Sequence, residues 1–544
     1  MDLKQKTFEL IDALKSTCQT FGLGNDGNEY KIITQVFLYK FLNDKFGYEL
    51  KKKSEKLRNA EKWEIEYESM SEDERLDLLD LISPDVPRLN PEHLIAHLWN
   101  QQTKDDFDFI FDATMRNIAD KNIEIFNTHT TEETKIPLFE ELTVFVTDTS
   151  QRTKFARALV DKLANFSFEE TFEEHYDFFA AIFEYLIRDY NTAGGGKYAE
   201  YYTPHAIATI MARLLVGDNS GLHSVQCYDP SAGTGTLLMA LAHQVGEDKC
   251  TIYSQDISQR SNKMLKLNLI LNNLVSSLDN AIQGDTLVSP YHKDDSKQHL
   301  KQFDFVVSNP PFKMDFSDTR ETIAENTTRF WAGVPSIPAK KKESMAIYTC
   351  FIQHVINSLK PTGKGAIVVP TGFVTAKSGI ERKILEKIID DKIIMGVVSM
   401  PSNVFATTGT NVSVLFFDRT KKQDDDKVIL IDASKFGEEY KEGKNQKRRL
   451  LPEEIDKIVS TFKNKEAVED FSVAVTYKEI KENGYSLSAG QYFDIKINYV
   501  DITEEEFTKK MNAHKSVLKE LLSQSKELED EILENFGKME FCEE

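Results

Sequence analysis

The sequence predicts an α/β protein, a doubly wound and mostly parallel sheet, preceded by a helical N-terminal region and followed by a long C-terminal helix. Three observations predict it. Between about residues 220 and 420, short β-branched runs alternate with helical segments, the order that builds parallel strands with helices on both faces. The region before residue 166 instead carries apolar positions at helical spacing. The last stretch of the chain carries an apolar seam with heptad steps.

In chain order, Asn28-Glu29-Tyr30-Lys31 leads into Ile32, Ile33, Val36, Phe37, Tyr39, Phe41 and Leu42, one face of a helix. Charged, glycine-poor sequence follows, then the turn Ser83-Pro84-Asp85-Val86-Pro87. Residues 1–165 hold no cluster of chemistry-bearing side chains and read as a docking or scaffolding domain. A helix bearing Phe178, Phe179, Ile182, Phe183 and Leu186 then meets the glycine break Gly194-Gly195-Gly196. Strands are predicted at 225–228, 251–254, 281–282, 303–307, 365–369, 393–398 and 412–417, with helices at 262–271, 345–359 and 379–389. They define a domain at 166–425 whose ligand should lie at the carboxyl ends of the strands. Of two polar intervals within it, 313–343 is longer than ordinary connections, as functional loops are. Residues 426–499 form a mixed extension with a strand at 428–431 and a helix at 452–462. Residues 500–544 form the terminal helix, with seam Phe507, Met511, His514, Leu518, Leu521, Ser525, Leu528 and Ile532. Such a seam either packs on its own domain or pairs with the coiled coil of another subunit.

Lys and Arg number 67 against 88 Asp and Glu, a formal charge of −21. Such a chain repels DNA on average, so a role on nucleic acid calls for a partner that supplies basic surface. The five cysteines are scattered and never form Cys-x-x-Cys, which argues against a disulfide framework and a thiolate zinc site. No run approaches the ~18 apolar residues of a membrane span and Met1 to Gln5 is no secretory leader, so a cytoplasmic protein is expected.

The first chemical signal is Tyr228-Asp229-Pro230-Ser231-Ala232-Gly233-Thr234-Gly235-Thr236, a strand ending in an Asp-Pro turn and a Gly-x-Gly that opens a helix. Glycines admit a close ligand, and a helix start offers free N–H groups. Asp256 ends the next predicted strand, where a carboxylate accepts from ribose hydroxyls, and Asp285 ends the third. One such Asp is commonly a turn or helix cap. Three in register point to a nucleoside-containing cofactor. The third glycine of a dinucleotide fingerprint and the Gly-Lys-Ser/Thr of a phosphate loop are both missing.

The second signal is Ser308-Asn309-Pro310-Pro311-Phe312 after the fourth predicted strand. Consecutive prolines hold the turn rigid and leave carbonyls without a neighbouring N–H. An adenine amino nitrogen is a poor nucleophile because its lone pair is delocalised into the ring. The Asn309 side-chain oxygen and the Pro310 carbonyl are placed to accept its two hydrogens and favour the tetrahedral nitrogen that attacks an electrophilic methyl. Phe312 would stack on the base once it leaves the duplex. A merely structural Asn-Pro turn is the competing reading.

With these motifs in this order, the chain resembles amino-group DNA methyltransferases that use S-adenosylmethionine. More closely, it is similar to the methylation (M) subunit of type I restriction-modification systems, in the N6-adenine group. The resemblance implies the Rossmann-like methyltransferase sheet. It also covers Lys197-Tyr198-Ala199-Glu200-Tyr201-Tyr202-Thr203-Pro204-His205, similar to a family segment lying over the methionine part of the cofactor, with Ala199 where many relatives have Gly. It thereby adds Glu200, Tyr201, Tyr202, Thr203, Pro204 and His205 to Asp229, Ser231, Gly233, Thr234, Gly235, Thr236, Asp256 and Asp285 as cofactor-binding residues. Met400-Pro401-Ser402-Asn403-Val404-Phe405 and Thr408-Gly409-Thr410-Asn411 look like the segment carrying a second aromatic against the flipped base, with Phe405 as that residue or an ordinary core Phe.

No metal is implied, because the donor already carries the positive charge and leaving group. The absence of Pro-Cys leaves direct in-line transfer. Implied partners are double-stranded DNA, a specificity (S) subunit flanked by two M subunits, and a restriction (R) subunit. The terminal helix is expected to dock on the S subunit, and 313–343 to order over DNA. Competing readings are a protein-glutamine or ribosomal-RNA methyltransferase with the same Asn-Pro-Pro-aromatic turn, and a non-catalytic cofactor-binding scaffold.

Overall fold

The computed structural model describes residues 2–24, 27–126, 128–130, 135–173, 176–193, 203–217, 220–405, 411–420, 426–442, 445–493 and 502–537. The chain divides into two compact units, Met1–Tyr492 and Phe493–Glu544.

The first unit is built on an 11-stranded sheet. Its strands in chain order are β1 (Thr128–Thr130), β2 (Lys135–Ile136), β3 (Val225–Asp229), β4 (Cys250–Asp256), β5 (Ala281–Gln283), β6 (Phe303–Ser308), β7 (Leu359–Pro370), β8 (Ile394–Ser399), β9 (Val412–Asp418) and β10 (Lys427–Asp432). A separate hairpin, β11 (Glu438–Glu442) with β12 (Asn445–Arg449), precedes the last sheet strand, β13 (Ser472–Thr476). Across the sheet the order is β13-β10-β8-β9-β7-β6-β3-β4-β5-β1-β2. Strands β7-β6-β3-β4-β5 run parallel, and β9 is antiparallel to both neighbours, β7 and β8. All seven runs predicted between residues 225 and 417 are strands, and the chain order folds back on itself beside β3. That is the switch point at which ligands bind beyond the carboxyl ends of a doubly wound sheet.

Burial follows from composition. The β9 run Val-Ser-Val-Leu-Phe-Phe-Asp is buried at all but its last residue, as expected of a strand covered on both faces. Helices Gln259–Leu271, Tyr348–Asn357 and Gly379–Asp390 occupy the predicted helical stretches. Ser258 caps the first by accepting from the Ser261 N–H.

The N-terminal region is built around the helix Glu29–Lys53, whose Ile33, Val36, Phe37, Phe41, Leu42 and Phe46 are buried. Phe37 and Phe41 meet Phe168 edge-on, at 5.1 and 5.5 Å between ring centres. Beyond the predicted helices, this region contributes β1 and β2, and β1 pairs in parallel with β5 through His129↔Ile282 and Thr130↔Gln283. It therefore lengthens the same sheet.

The interval 313–343, expected to order over DNA, already has anchors of its own. It contains the helix Arg320–Glu325 and buries Phe316, Ile323, Phe330 and Val334. The Gln353 amide holds it from below, accepting from Ala332 N at 2.7 Å and donating to Gly333 O at 3.0 Å. These apolar residues stand singly between polar ones, so the interval read as polar.

The second unit contains the helix Glu504–Gly537. Thr503 and Glu506 exchange hydrogen bonds at its start, Thr503 Oγ1 accepting from Glu506 N at 3.3 Å and Glu506 Oε2 from Thr503 N at 3.4 Å. Phe507, Met511, Leu518, Leu521, Leu528 and Ile532 of the predicted seam are all more than half exposed. Among the described residues no helix is long and apolar enough to cross a membrane.

Candidate active site

Asp229, Asp256 and Asn309 all lie at the carboxyl edge of the sheet, because β3, β4 and β6 are adjacent and parallel and end at Asp229, Asp256 and Ser308. From these ends the chain turns into a cleft. Among the predicted residues, Thr203, Asp229, Ser231, Gly233, Asp256, Asp285, Asn309 and Pro311 line it.

The turn after β3 is tied on three sides. Asp229 Oδ1 accepts from Ser231 N at 2.9 Å. The Ser231 and Ser308 hydroxyls lie 2.6 Å apart, linking the turn to β6. Asp256 Oδ2 accepts from Gly233 N at 2.8 Å, linking it to β4. Gly233 and Gly235 adopt φ of 51° and 85°, a left-handed backbone that favours glycine. At 235 space is also closed, because a Cβ would stand 2.2 Å from Leu265 Cδ1. Thr236 then opens the helix Thr236–Val245, and Asn268 Nδ2 donates to Thr234 O at 3.1 Å.

The other two acids each perform turn work with one oxygen. Asp256 Oδ1 accepts from Ser258 N at 2.8 Å. Asp285 Oδ1 accepts from Leu287 N and Val288 N at 2.8 and 3.1 Å. The cap reading of these aspartates therefore applies to them alongside the ligand reading. The loops are also stitched together, Gly284 N donating to Asp256 O at 2.8 Å and Thr286 Oγ1 to Pro230 O at 2.7 Å.

Burial makes this edge electrostatically hungry for positive charge. Asp229 is only 1% exposed. Burial first, and the charge of Asp256 second, push its carboxyl up to about 8 against the pull of the Ser231 hydrogen bonds. Burial likewise raises Asp256, opposed by the N–H groups of Ser258 and Gly233. S-adenosylmethionine combines sulfonium and ammonium cations with ribose hydroxyls, and this set of buried carboxylates at a glycine turn fits such a group.

The sign of the resulting linkage is fixed. A carboxyl raised from 3.8 to about 8 keeps its proton in the folded state while the unfolded state loses it. Its contribution therefore declines as pH rises from near 4 to near 8. A bound cation reverses the shift, so cofactor binding at pH 7 is expected to release up to about one proton. Calorimetry in buffers of different ionisation enthalpy checks this, and a heat independent of buffer would refute it.

Asn309 donates through Nδ2 to Thr203 Oγ1 at 3.0 Å. In this orientation Oδ1 is left as the remaining acceptor. Among the described residues nothing donates to Asn309 Oδ1 or to the Pro310 carbonyl. Phe312 is half-buried and stands edge-on to Tyr348, 6.3 Å between ring centres. Tyr348 in turn stands edge-on to Phe373 at 6.0 Å.

Other predicted residues lie away from the cleft lining. Phe405 is half-buried and packed against the hydrophobic core. Pro204 is the N-cap of the helix His205–Val216, its carbonyl accepting from Ile207 N at 3.0 Å. Glu200, Tyr201 and Tyr202 lie outside the described residues, as do residues 194–199 and Thr408, Gly409 and Thr410. Conversely, Ile257, Thr286, Leu287, Lys313, Met314, Ile347 and Phe351 line the cleft without a distinguishing sequence signal. Ordinary residues become lining only through tertiary placement.

Comparison with known proteins bears on the same residues. The family model described as N-6 DNA Methylase matches residues 174–499, more than half of the chain. The type I restriction enzyme MpnII methylase subunit of Mycoplasma pneumoniae is 26% identical over 551 aligned residues, covering 97% of this chain and 95% of that protein. The HindI methylase subunit of Haemophilus influenzae is 27% identical, covering 66% of this chain and 78% of that protein. In fold, the chain is similar to the type I restriction-modification methyltransferase subunit of Streptococcus thermophilus, with TM-score 0.73 and 21% identity, covering 91% of this chain and 100% of that one.

Proposed function

The chain belongs to the N-6 DNA methylase family, and from that premise we propose that it is the modification subunit of a type I restriction-modification complex. Its reaction is methyl transfer from S-adenosylmethionine to the N6 amino group of adenine in DNA. The observation that carries the site assignment is the pair of acceptors to which nothing donates among the described residues, Asn309 Oδ1 in the cleft lined by Asp229 and Asp256 and the Pro310 carbonyl next to it in the chain.

The cofactor, when bound, supplies a methyl group made electrophilic by its sulfonium. Asp229, Asp256 and Asp285 hold and orient it, and Gly233 and Gly235 let the backbone approach it. The flipped adenine donates its two amino hydrogens to Asn309 Oδ1 and Pro310 O. These bonds shift the nitrogen towards tetrahedral geometry and return its lone pair from the ring, which is stabilisation by dipoles already in place. Thr203 tethers the Asn309 amide through its hydroxyl. Phe312 provides a face for the extruded ring, and Phe405 a second aromatic.

A chain of charge −21 needs help to hold DNA. The proposed help is a separate specificity subunit between two copies of this chain, with a restriction subunit able to join. The exposed seam Phe507 to Ile532 is its docking element. Removing residues after Val500 is expected to abolish co-elution with the specificity subunit on size exclusion, and recovery of the full assembly would refute that role. The function itself is tested by transfer of labelled methyl to DNA, with the chain alone and with its specificity subunit. N6-methyladenine formed only with both chains is expected. Cofactor binding without transfer to DNA in either case would overturn the reading.

A further inference from the structure

Arg329 lies in the polar interval after the Asn-Pro-Pro-Phe turn, yet it is only 5% exposed. Burying a guanidinium costs several kcal/mol unless it is paired, and among the described residues no carboxylate forms an ion pair with it. Its hydrogen bonds go instead to two backbone carbonyls, Thr286 O at 3.3 Å and Leu287 O. Both residues line the cleft immediately after Asp285.

We propose that Arg329 is a positioning residue for the nucleoside end of the cofactor site, gripping the Asp285–Leu287 loop from behind through those two carbonyls. The inference rests on the reading of Asp256 and Asp285 as cofactor ligands. The grip is well founded at both ends. Arg329 N donates to Asn326 Oδ1 at 3.0 Å, Asn357 Nδ2 donates to Arg329 O at 3.0 Å, and the guanidinium lies 4.4 Å from the Phe330 ring centre. On the loop side, Asp285 accepts from Leu287 and Val288, and the Thr286 hydroxyl reaches Pro230 in the first cofactor turn. One buried cation thus fixes the backbone between the third acid and the first.

A space-filling role alone would be met by an apolar side chain of similar length, with no desolvation cost. A planar fork suits two neighbouring carbonyls because it presents several donors in fixed directions. The same interval begins with Lys313 and Met314 in the cleft lining. The segment therefore connects the base-holding turn to the cofactor loop.

The test compares R329M and R329K with wild type in the complete complex, measuring KM for S-adenosylmethionine, KM for DNA and kcat. In R329M the cofactor KM is expected to rise about tenfold or more, with kcat and the DNA KM within about threefold. R329K should recover part of the loss, since an ammonium still reaches one carbonyl. An unchanged cofactor KM in R329M, or a loss confined to kcat, would overturn the inference.

Hydrogen exchange on the wild-type chain gives a second reading if R329M fails to assemble. Residues 285–288 and 327–331 should gain protection together on adding S-adenosylhomocysteine, and protection of the first segment alone would overturn it. Cofactor binding by wild type is measured first. Its absence overturns the cofactor reading and this inference together, whereas normal binding with an indifferent R329M overturns the inference alone.

Discussion

Replacing Asn309 with alanine should lower kcat for methyl transfer about 10²- to 10³-fold, the loss typical of removing one preorganised polar group from a charge-developing transition state. The cofactor dissociation constant should stay within about threefold, because the turns bearing Asp229, Asp256 and Asp285 are held by bonds that do not involve Asn309. Alanine removes the acceptor and leaves the Pro310 carbonyl alone against two hydrogens. Thr203→Val should cost less, about tenfold, since it removes the bond that tethers the amide without deleting its oxygen. Single-turnover methylation with isothermal titration of the cofactor separates the effects. An Asn309→Ala enzyme with wild-type kcat would remove Asn309 from the chemistry.

Gly235→Ala should produce the largest structural effect of any single methyl group at this site. Its φ of 85° costs an alanine about 1–2 kcal/mol. The added carbon would also stand 2.2 Å from Leu265 Cδ1, the end of a fully buried side chain that would have to shift within the core. Overpacking of that kind costs about 1–3 kcal/mol more. The melting temperature should therefore fall by several degrees, and cofactor affinity at least tenfold as the Gly233 to Thr236 turn shifts. Gly221→Ala, with no atom within 4 Å of its Cβ, is the matched control. Equal melting temperatures and affinities for the two variants would refute the packing argument.

The strands were legible because buried strands read as short runs of β-branched and aromatic residues, whether parallel as at 225–228 and 303–307 or antiparallel as at 412–417. Asp229 and Asp256 were legible as candidate site residues because each closes such a run, and Asn309 because it follows one directly. What lies across the fold was not. The Thr203–Asn309 bond joins residues more than a hundred positions apart, and neither residue type advertises the other. Arg329 read as part of a polar stretch, because a buried cation differs from a surface one only in what folds over it. The hairpin at β1 and β2 was hidden for a different reason. Its strands are three and two residues long, too short for any period to show.

That hairpin also sets an order of events during synthesis. His129 pairs with Ile282, so one margin of the sheet leaves the ribosome long before its neighbour does. The other margin, β13, completes only at Thr476. Until β5 has been made, β1 has only β2 to pair with, and contacts this distant in sequence form slowly and expose strand edges meanwhile. The protein is thus committed to finishing its sheet late, after most of the chain has emerged, and its vulnerability to misassembly is greatest in the nascent state.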